Sequence, residues 1–253
     1  MATLYTTEIT DDLLCWLSDD YNFETILRLI NIPAQASIRR VGDATLRAMR
    51  LMSRLFNLYA VAHFEGLQSQ WWQQVTIHHD PHGKPHAVVD GKVVFFNNSS
   101  SNRHLAVVVS SDHQVGVDLS HAQQNIDPDS VVDQFAPIFS AEEQNTITSS
   151  PDVYLAFNHF WTLKEAYTKY AGTGLHATNL AELAFTITTP LSASHHLLAD
   201  EKWLAATGPE PAISSVLAPP TSSSLAVIVS VVGVTTVGWN PVNFAAVITA
   251  GGR

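Results

Sequence analysis

One cysteine, few cations and no long apolar run set the first limits on this chain. Cys15 is the single cysteine, so no disulfide can form within the chain, and the expected setting is the cytoplasm. No apolar stretch approaches the ~20 residues of a membrane-spanning helix. The opening residues, MATLYTTEITDD, lack the basic start and apolar run of a secretory signal. Lysine and arginine number 13 against 23 acidic residues, a net charge of −10, which argues against general nucleic-acid binding. Charged residues make up 14% of the chain and hydrophobic ones 46%. That is ample for a buried core, in one large domain or two modest ones, and unlike a disordered segment.

The scarce cations are unevenly spread. Arg28, Arg39, Arg40, Arg47, Arg50 and Arg54 place six of the 13 in one short stretch. Arg47, Arg50 and Arg54 fall on one helix face. They form either a solvated face beside an apolar stripe or a landing site for a small polyanion such as a nucleotide phosphate. Charge alone does not choose between the two.

Pattern predicts helices over 11–17 and 23–30, the second ending before Pro33, and a longer helix capped by Asp43. Strands are expected at 75–79 and 93–96 around the turn Asp80-Pro81-His82-Gly83, then a hairpin of 105–110 and 115–119 around Asp112 and His113. The near-continuous valines of that hairpin predict burial on both faces. A second helix-then-strand run follows. Ser140 to Glu143 reads as a capping box. A helix over 153–170 should stop at Gly172 as a left-handed cap. Strands are expected at 183–188, 225–234 and 244–249, with a mobile loop over 207–224. The order implies an α+β pseudo-dimer of two similar helix-plus-antiparallel-sheet halves, 1–120 and 121–253, with the site between them.

Several site types can be set aside. His82-Gly83-Lys84-Pro85 lacks the rest of a phosphate loop. The pairs His78-His79 and His195-His196 have no partners at zinc-ligand spacing. No Gly-x-Ser-x-Gly is present, and nothing in the sequence activates Cys15. Two segments remain. In Gly116-Val117-Asp118-Leu119-Ser120 an aspartate ends a strongly apolar strand. It either faces solvent or has a hydrogen-bond or metal partner, because burial without one is costly. In the segment Phe160 to Leu175, Glu165 and Lys169 share a helix face. They are either a surface ion pair or a carboxylate for a hard cation beside a lysine for a phosphate.

Taken together and in this order, the segments resemble the surfactin-type 4′-phosphopantetheinyl transferases. The resemblance rests on Gly-Val-Asp followed by Trp-x-x-Lys-Glu-Ala-x-x-Lys and Gly-x-Gly-Leu, matched at Trp161, Lys164, Glu165, Ala166, Lys169, Gly172, Gly174 and Leu175. Weaker matches are Asp43 with Arg50 to Arg54, the turn Gly83-Lys84-Pro85, Phe96-Asn97-Asn98-Ser99, and Phe139-Ser140 to Glu143. Coverage is roughly residues 40–190.

The resemblance implies a monomeric, Mg²⁺-dependent transferase that moves the phosphopantetheine arm of coenzyme A to a serine of an apo acyl- or peptidyl-carrier protein. The alternative is a coenzyme A or carrier-binding module that kept the fold and lost efficient chemistry. Asp118 and Glu165 would hold the metal, with Glu143 as a third carboxylate or base unless it serves only the capping box. Glu165, Lys169 and Glu143 would be catalytic. Arg40, Lys84, Asn97, Ser99, Ser100, Asp118, Lys164 and Lys169 would contact coenzyme A. Arg40 is assigned to the 3′-phosphate, and Arg50 and Arg54 to packing or to the carrier. Three positions depart from the family pattern. Ser100 stands where a histidine is usual, Gly42 where a basic residue is frequent, and Ser120 where a glutamate often supplies a third carboxylate.

Overall fold

The computed structural model describes residues 2–121, 128–174, 179–187, 204–207, 213–218, 227–234 and 237–250. The chain opens with β1 (Ala2–Glu8), unassigned from sequence, and three short helices, α1 (Asp11–Leu17), α2 (Asp20–Leu27) and α3 (Ile32–Arg39). Each helix starts on a side-chain cap: Thr10, Asp19 and Asn31 accept the amides of Leu13, Asn22 and Ala34. Pro33 opens α3 instead of merely ending the previous helix, because a first-turn residue needs no amide hydrogen. Asp43 caps α4 (Ala44–Phe64) as expected, accepting the Leu46 amide at 2.6 Å. Leu51, Met52, Leu55 and Phe56 of α4 are fully buried.

After α5 (Trp71–Gln74) the strands β2 (Thr76–His79), β3 (Pro85–Val89), β4 (Lys92–Ser101) and β5 (His104–Ser110) run as an antiparallel meander. The second half repeats the plan. β6 (Gly116–His121) is followed by α6 (Pro128–Phe135), α7 (Ala141–Ser149) and α8 (Val153–Ala171). The strands β7 (Thr186–Ile187), β8 (Leu204–Thr207), β9 (Ile213–Ala218) and β10 (Val227–Val232) come next. One sheet is ordered β11-β1-β5-β4-β3-β2 and the other β6-β10-β9-β8-β7, where β11 is Val237–Pro241. Leaving out β11, the two orders are the same: first strand, fifth, fourth, third, second. The α+β class and the likeness of the two halves therefore stand, with one parallel pair, β1 to β11, among the antiparallel ones.

Several local expectations are corrected. β5 and β6 are not a hairpin, since they belong to different sheets. Their valines are buried on both faces because the sheets stack. Val115, Val117 and Leu119 share a core with Leu4, Ala106 and Val108 of one sheet and Val229 and Val231 of the other. Residues 244–249 form a helix, α9 (Phe244–Thr249), started by Asn243 accepting the Ala246 amide. Its Phe244 packs 5.0 Å from Phe56 in the first-half core. The strand expected at 183–188 shrinks to β7 behind a 3₁₀ turn at Leu180–Glu182. β9 lies inside the segment expected to be a mobile loop, and the rest of that segment past Thr207 is outside the described residues, as is Leu175. Among the described residues no helix is long and apolar enough to cross a membrane.

Candidate active site

The site is built where β6 lies on α8. Gly116 starts β6, and a Cβ there would stand 2.1 Å from the Ala166 carbonyl oxygen and 2.7 Å from the Tyr170 nitrogen. Only glycine lets strand and helix approach this closely. Two residues on, Asp118 is buried at 6% exposure. Its Oδ1 accepts from Ser99 Oγ at 2.9 Å and from Lys169 Nζ at 2.6 Å. Helical spacing stacks Glu165 one turn from Lys169 on α8. Burial holds the Glu165 carboxyl above its ordinary range, the nearby Asp118 charge adds to the rise, and Lys169 opposes it. The aspartate, expected at a strand end, lies inside β6 and has partners, and the Glu165–Lys169 pair faces it across the two elements.

Lys84 reaches the same region from the β2–β3 turn. Asp80 Oδ1 shapes that turn by accepting the His82 and Lys84 amides at 2.8 and 2.9 Å. Lys84 Nζ donates to Gln114 Oε1 at 2.8 Å and to the Tyr170 carbonyl, and lies 5.2 Å from the centre of the Tyr170 ring. Burial pulls its ammonium down to about 8, with the Asp80 charge opposing. Lys84 thus ties the first half to the last turn of α8. Gln114 and Tyr170 were not foreseen: a single glutamine between strands, or a backbone carbonyl inside a helix, leaves no sequence signal.

The other expected residues divide. Asn97 and Ser99 face β6, where Asn97 Oδ1 accepts the Val117 amide at 3.1 Å and Ser99 Oγ the Leu119 amide at 3.2 Å. Ser100 is on the opposite face of β4. It lines a cleft of about 530 Å³ between α3, α4 and the sheet, together with Asn98, Arg50, Ser53, Arg54 and His79. Arg40 is exposed at the end of α3, outside that lining and outside the Asp118 group.

Glu143 and Lys164 are a correction. They form a buried ion pair at 2.9 Å, with side chains 0% and 1% exposed. Glu143 Oε2 also accepts the Ser140 amide at 2.7 Å, completing the capping box, and Oε1 accepts the Phe185 amide at 2.9 Å. Lys164 Nζ donates to the Leu180 and Leu183 carbonyls, both at 2.7 Å, and sits over the Phe139 and Phe185 rings. Burial pulls its ammonium down, with Glu143 opposing. Every oxygen and proton of the pair is spent inside the second-half core. Neither side chain is left for a metal, a base role or coenzyme A.

Ser120, at the third-carboxylate position, is 3% exposed and donates to Asn158 Oδ1 of α8. Among the described residues there is no group of three or more histidine, cysteine, aspartate or glutamate side chains fit to hold a metal. The two adjacent carboxylates do fit Mg²⁺, a hard cation that takes one or two protein carboxylates and fills its shell with water and phosphate oxygens.

The family model for the 4′-phosphopantetheinyl transferase superfamily matches residues 114–210. The L-aminoadipate-semialdehyde dehydrogenase-phosphopantetheinyl transferase of Saccharomyces cerevisiae is 28% identical over 190 residues, 73% of this chain and 66% of that protein. The protein of the same name from Eremothecium gossypii is 32% identical over 165 residues, 63% of this chain and 57% of its own length. The 4′-phosphopantetheinyl transferase HetI of Nostoc is 32% identical over 99 residues, 38% of this chain and 40% of that protein. The chain thus spans less than two thirds of the curated relatives it matches. The matched segment contains Asp118, Glu165 and Lys169, and over it the chain is similar to the 4′-phosphopantetheinyl transferase superfamily.

Proposed function

We propose that the chain transfers the 4′-phosphopantetheine arm of coenzyme A to a serine of an apo carrier protein, with Mg²⁺, releasing 3′,5′-ADP, and that it works as a surfactin-type monomer in the cytoplasm. The observation that carries the reading is the meeting of Asp118, Glu165 and Lys169 between β6 and α8. Asp118 and Glu165 would hold the cation, which when bound offsets the negative charge of the diphosphate. Lys169 and Lys84 add fixed positive charge for phosphate oxygens. The serine oxygen attacks the phosphorus next to pantetheine, the bond to 3′,5′-ADP breaks, and Glu165 takes the serine proton. Residues 1–120 would contribute Lys84, the arginine-lined cleft and carrier contacts, and residues 121–253 Glu165 and Lys169. The names of the two yeast-type relatives make a carrier domain of an aminoadipate-semialdehyde dehydrogenase the first partner to try, with fatty-acid, polyketide and nonribosomal-peptide carriers beside it.

The test is the intact mass of an apo carrier after incubation with the chain, coenzyme A and Mg²⁺. A gain of one phosphopantetheine arm, lost with EDTA and in Glu165→Ala, supports the reading. No gain on any carrier, with coenzyme A still bound, replaces it with a non-catalytic binding module.

A further inference from the structure

The outer edge of β6 is completed by side chains in place of a neighbouring strand. Within its sheet β6 pairs with β10. The Val117 and Leu119 amides turn the other way and are met by Asn97 Oδ1 and Ser99 Oγ of β4, in the other sheet. Asn97 and Ser99 are two residues apart, as are Val117 and Leu119, and two residues span about 6.6–6.8 Å on any strand. A one-residue slip would therefore break both contacts at once. A slip of one residue would turn Asp118 to the other face. Asn97 and Ser99 are 6% and 8% exposed, so an amide left without its partner here would also lack water.

A hydroxyl has one proton and two lone pairs, and Ser99 uses all three. It donates to Asp118 Oδ1 at 2.9 Å, and accepts from the Leu119 amide at 3.2 Å and from Lys169 Nζ at 3.1 Å. No capacity remains for a ligand. Lys169 arrives from α8, so one oxygen atom joins β4, β6 and α8.

We propose that Asn97 and Ser99 are positioning residues and not coenzyme A contacts: they lock the strand that bears Asp118 in register with the first half and aim its carboxylate at Lys169 and Glu165. Their effect on turnover rests on the transferase reading, whereas their effect on β6 does not.

The experiment pairs residue-resolved amide hydrogen exchange with steady-state kinetics on the full chain. Ser99→Ala is expected to speed exchange of the Leu119 amide by about tenfold, the size of one net hydrogen bond. Asn97→Ala should do the same at Val117, and Ser99→Thr should restore protection at Leu119. In the transfer assay Ser99→Ala is expected to lower kcat with KM for coenzyme A held, and Ser99→Thr to recover it. Unchanged exchange at Leu119 in a folded Ser99→Ala would overturn the inference. So would a raised KM for coenzyme A with kcat intact, since that marks a ligand contact. If the unaltered chain transfers nothing, the functional reading falls, and the exchange data alone decide the positioning role.

Discussion

Lys169 Nζ lies 2.6 Å from Asp118 Oδ1, joining the last turns of α8 to the middle of β6. A cation already stands beside the carboxylate that the proposed mechanism assigns to a metal. Replacing Asp118 with asparagine keeps the shape and removes the charge. Turnover in the carrier assay should fall on the order of 10²–10³-fold, the usual loss when a preorganised charge-stabilising group is removed. Lys169→Met leaves the buried Asp118 carboxylate without its cation. A urea titration should show about 1–3 kcal/mol of lost stability.

Glu165 carries the opposite expectation. Burial and the Asp118 charge both disfavour its ionised form, so the folded chain bears a cost there that a neutral amide would remove. Glu165→Gln should raise Tm by about 1–3 °C while abolishing transfer, a trade of stability against function. Calorimetry beside the mass assay reads both. A lower Tm would show that the carboxylate is structural.

The Glu143–Lys164 pair should behave as structure alone. Breaking a buried pair from one side strands a charge, so Glu143→Ala and Lys164→Met should each cost about 3–5 kcal/mol. The combined Glu143→Leu/Lys164→Met variant should lose less than the sum of its singles. Whatever fraction of Lys164→Met stays folded should keep the wild-type Mg²⁺ dependence. A shifted metal requirement would return Glu143 to the site.

Lys84 gives a pH dependence. Its ammonium is depressed to about 8 by burial, so the unfolded chain holds this proton over a range where the folded chain has lost it. Stability from this group therefore rises with pH between about 8 and the ordinary lysine value of about 10.4. Binding of an anion runs the other way. Coenzyme A affinity should drop as pH rises through about 8, and Lys84→Arg, which stays charged, should remove that drop. Calorimetric titrations at pH 7 and 9 compare the two directly.

Gly116→Ala tests the seam itself. With backbone atoms 2.1 and 2.7 Å from the added carbon, α8 must move off β6. A loss of about 2–4 kcal/mol is expected, with transfer falling alongside.

The residues that meet at Asp118 were legible because they sit in dense, ordered motifs: Gly-Val-Asp on a strand and Lys-Glu-Ala-x-x-Lys on a helix. Helix caps at Asp43, Ser140 and Gly172 were legible for the same local reason, since each acts within a turn of itself. What failed was non-local. The valines of β5 and β6 are equally apolar whether the strands pair or stack, so the sequence could not separate a hairpin from two sheets. Phe244 to Thr249 is an apolar six-residue run that suits strand or helix, and only its place against Phe56 decides. The resemblance assigned Glu143 and Lys164 to the site because they stand inside the motifs, yet burial turns both toward Phe185 and the core.

β1 and β6 open the two repeated halves, yet their surroundings differ. β1 has a strand on each side, β11 and β5, whereas among the described residues β6 pairs with β10 alone. A duplicated unit would be expected to place its first strand alike in both halves. Here the closing strand seals the edge of one and leaves the other open to Asn97 and Ser99. The likeness of the two strand orders is thereby broken by five residues, Val237–Pro241, so only β6 is left to take side chains from the other sheet on its outer edge.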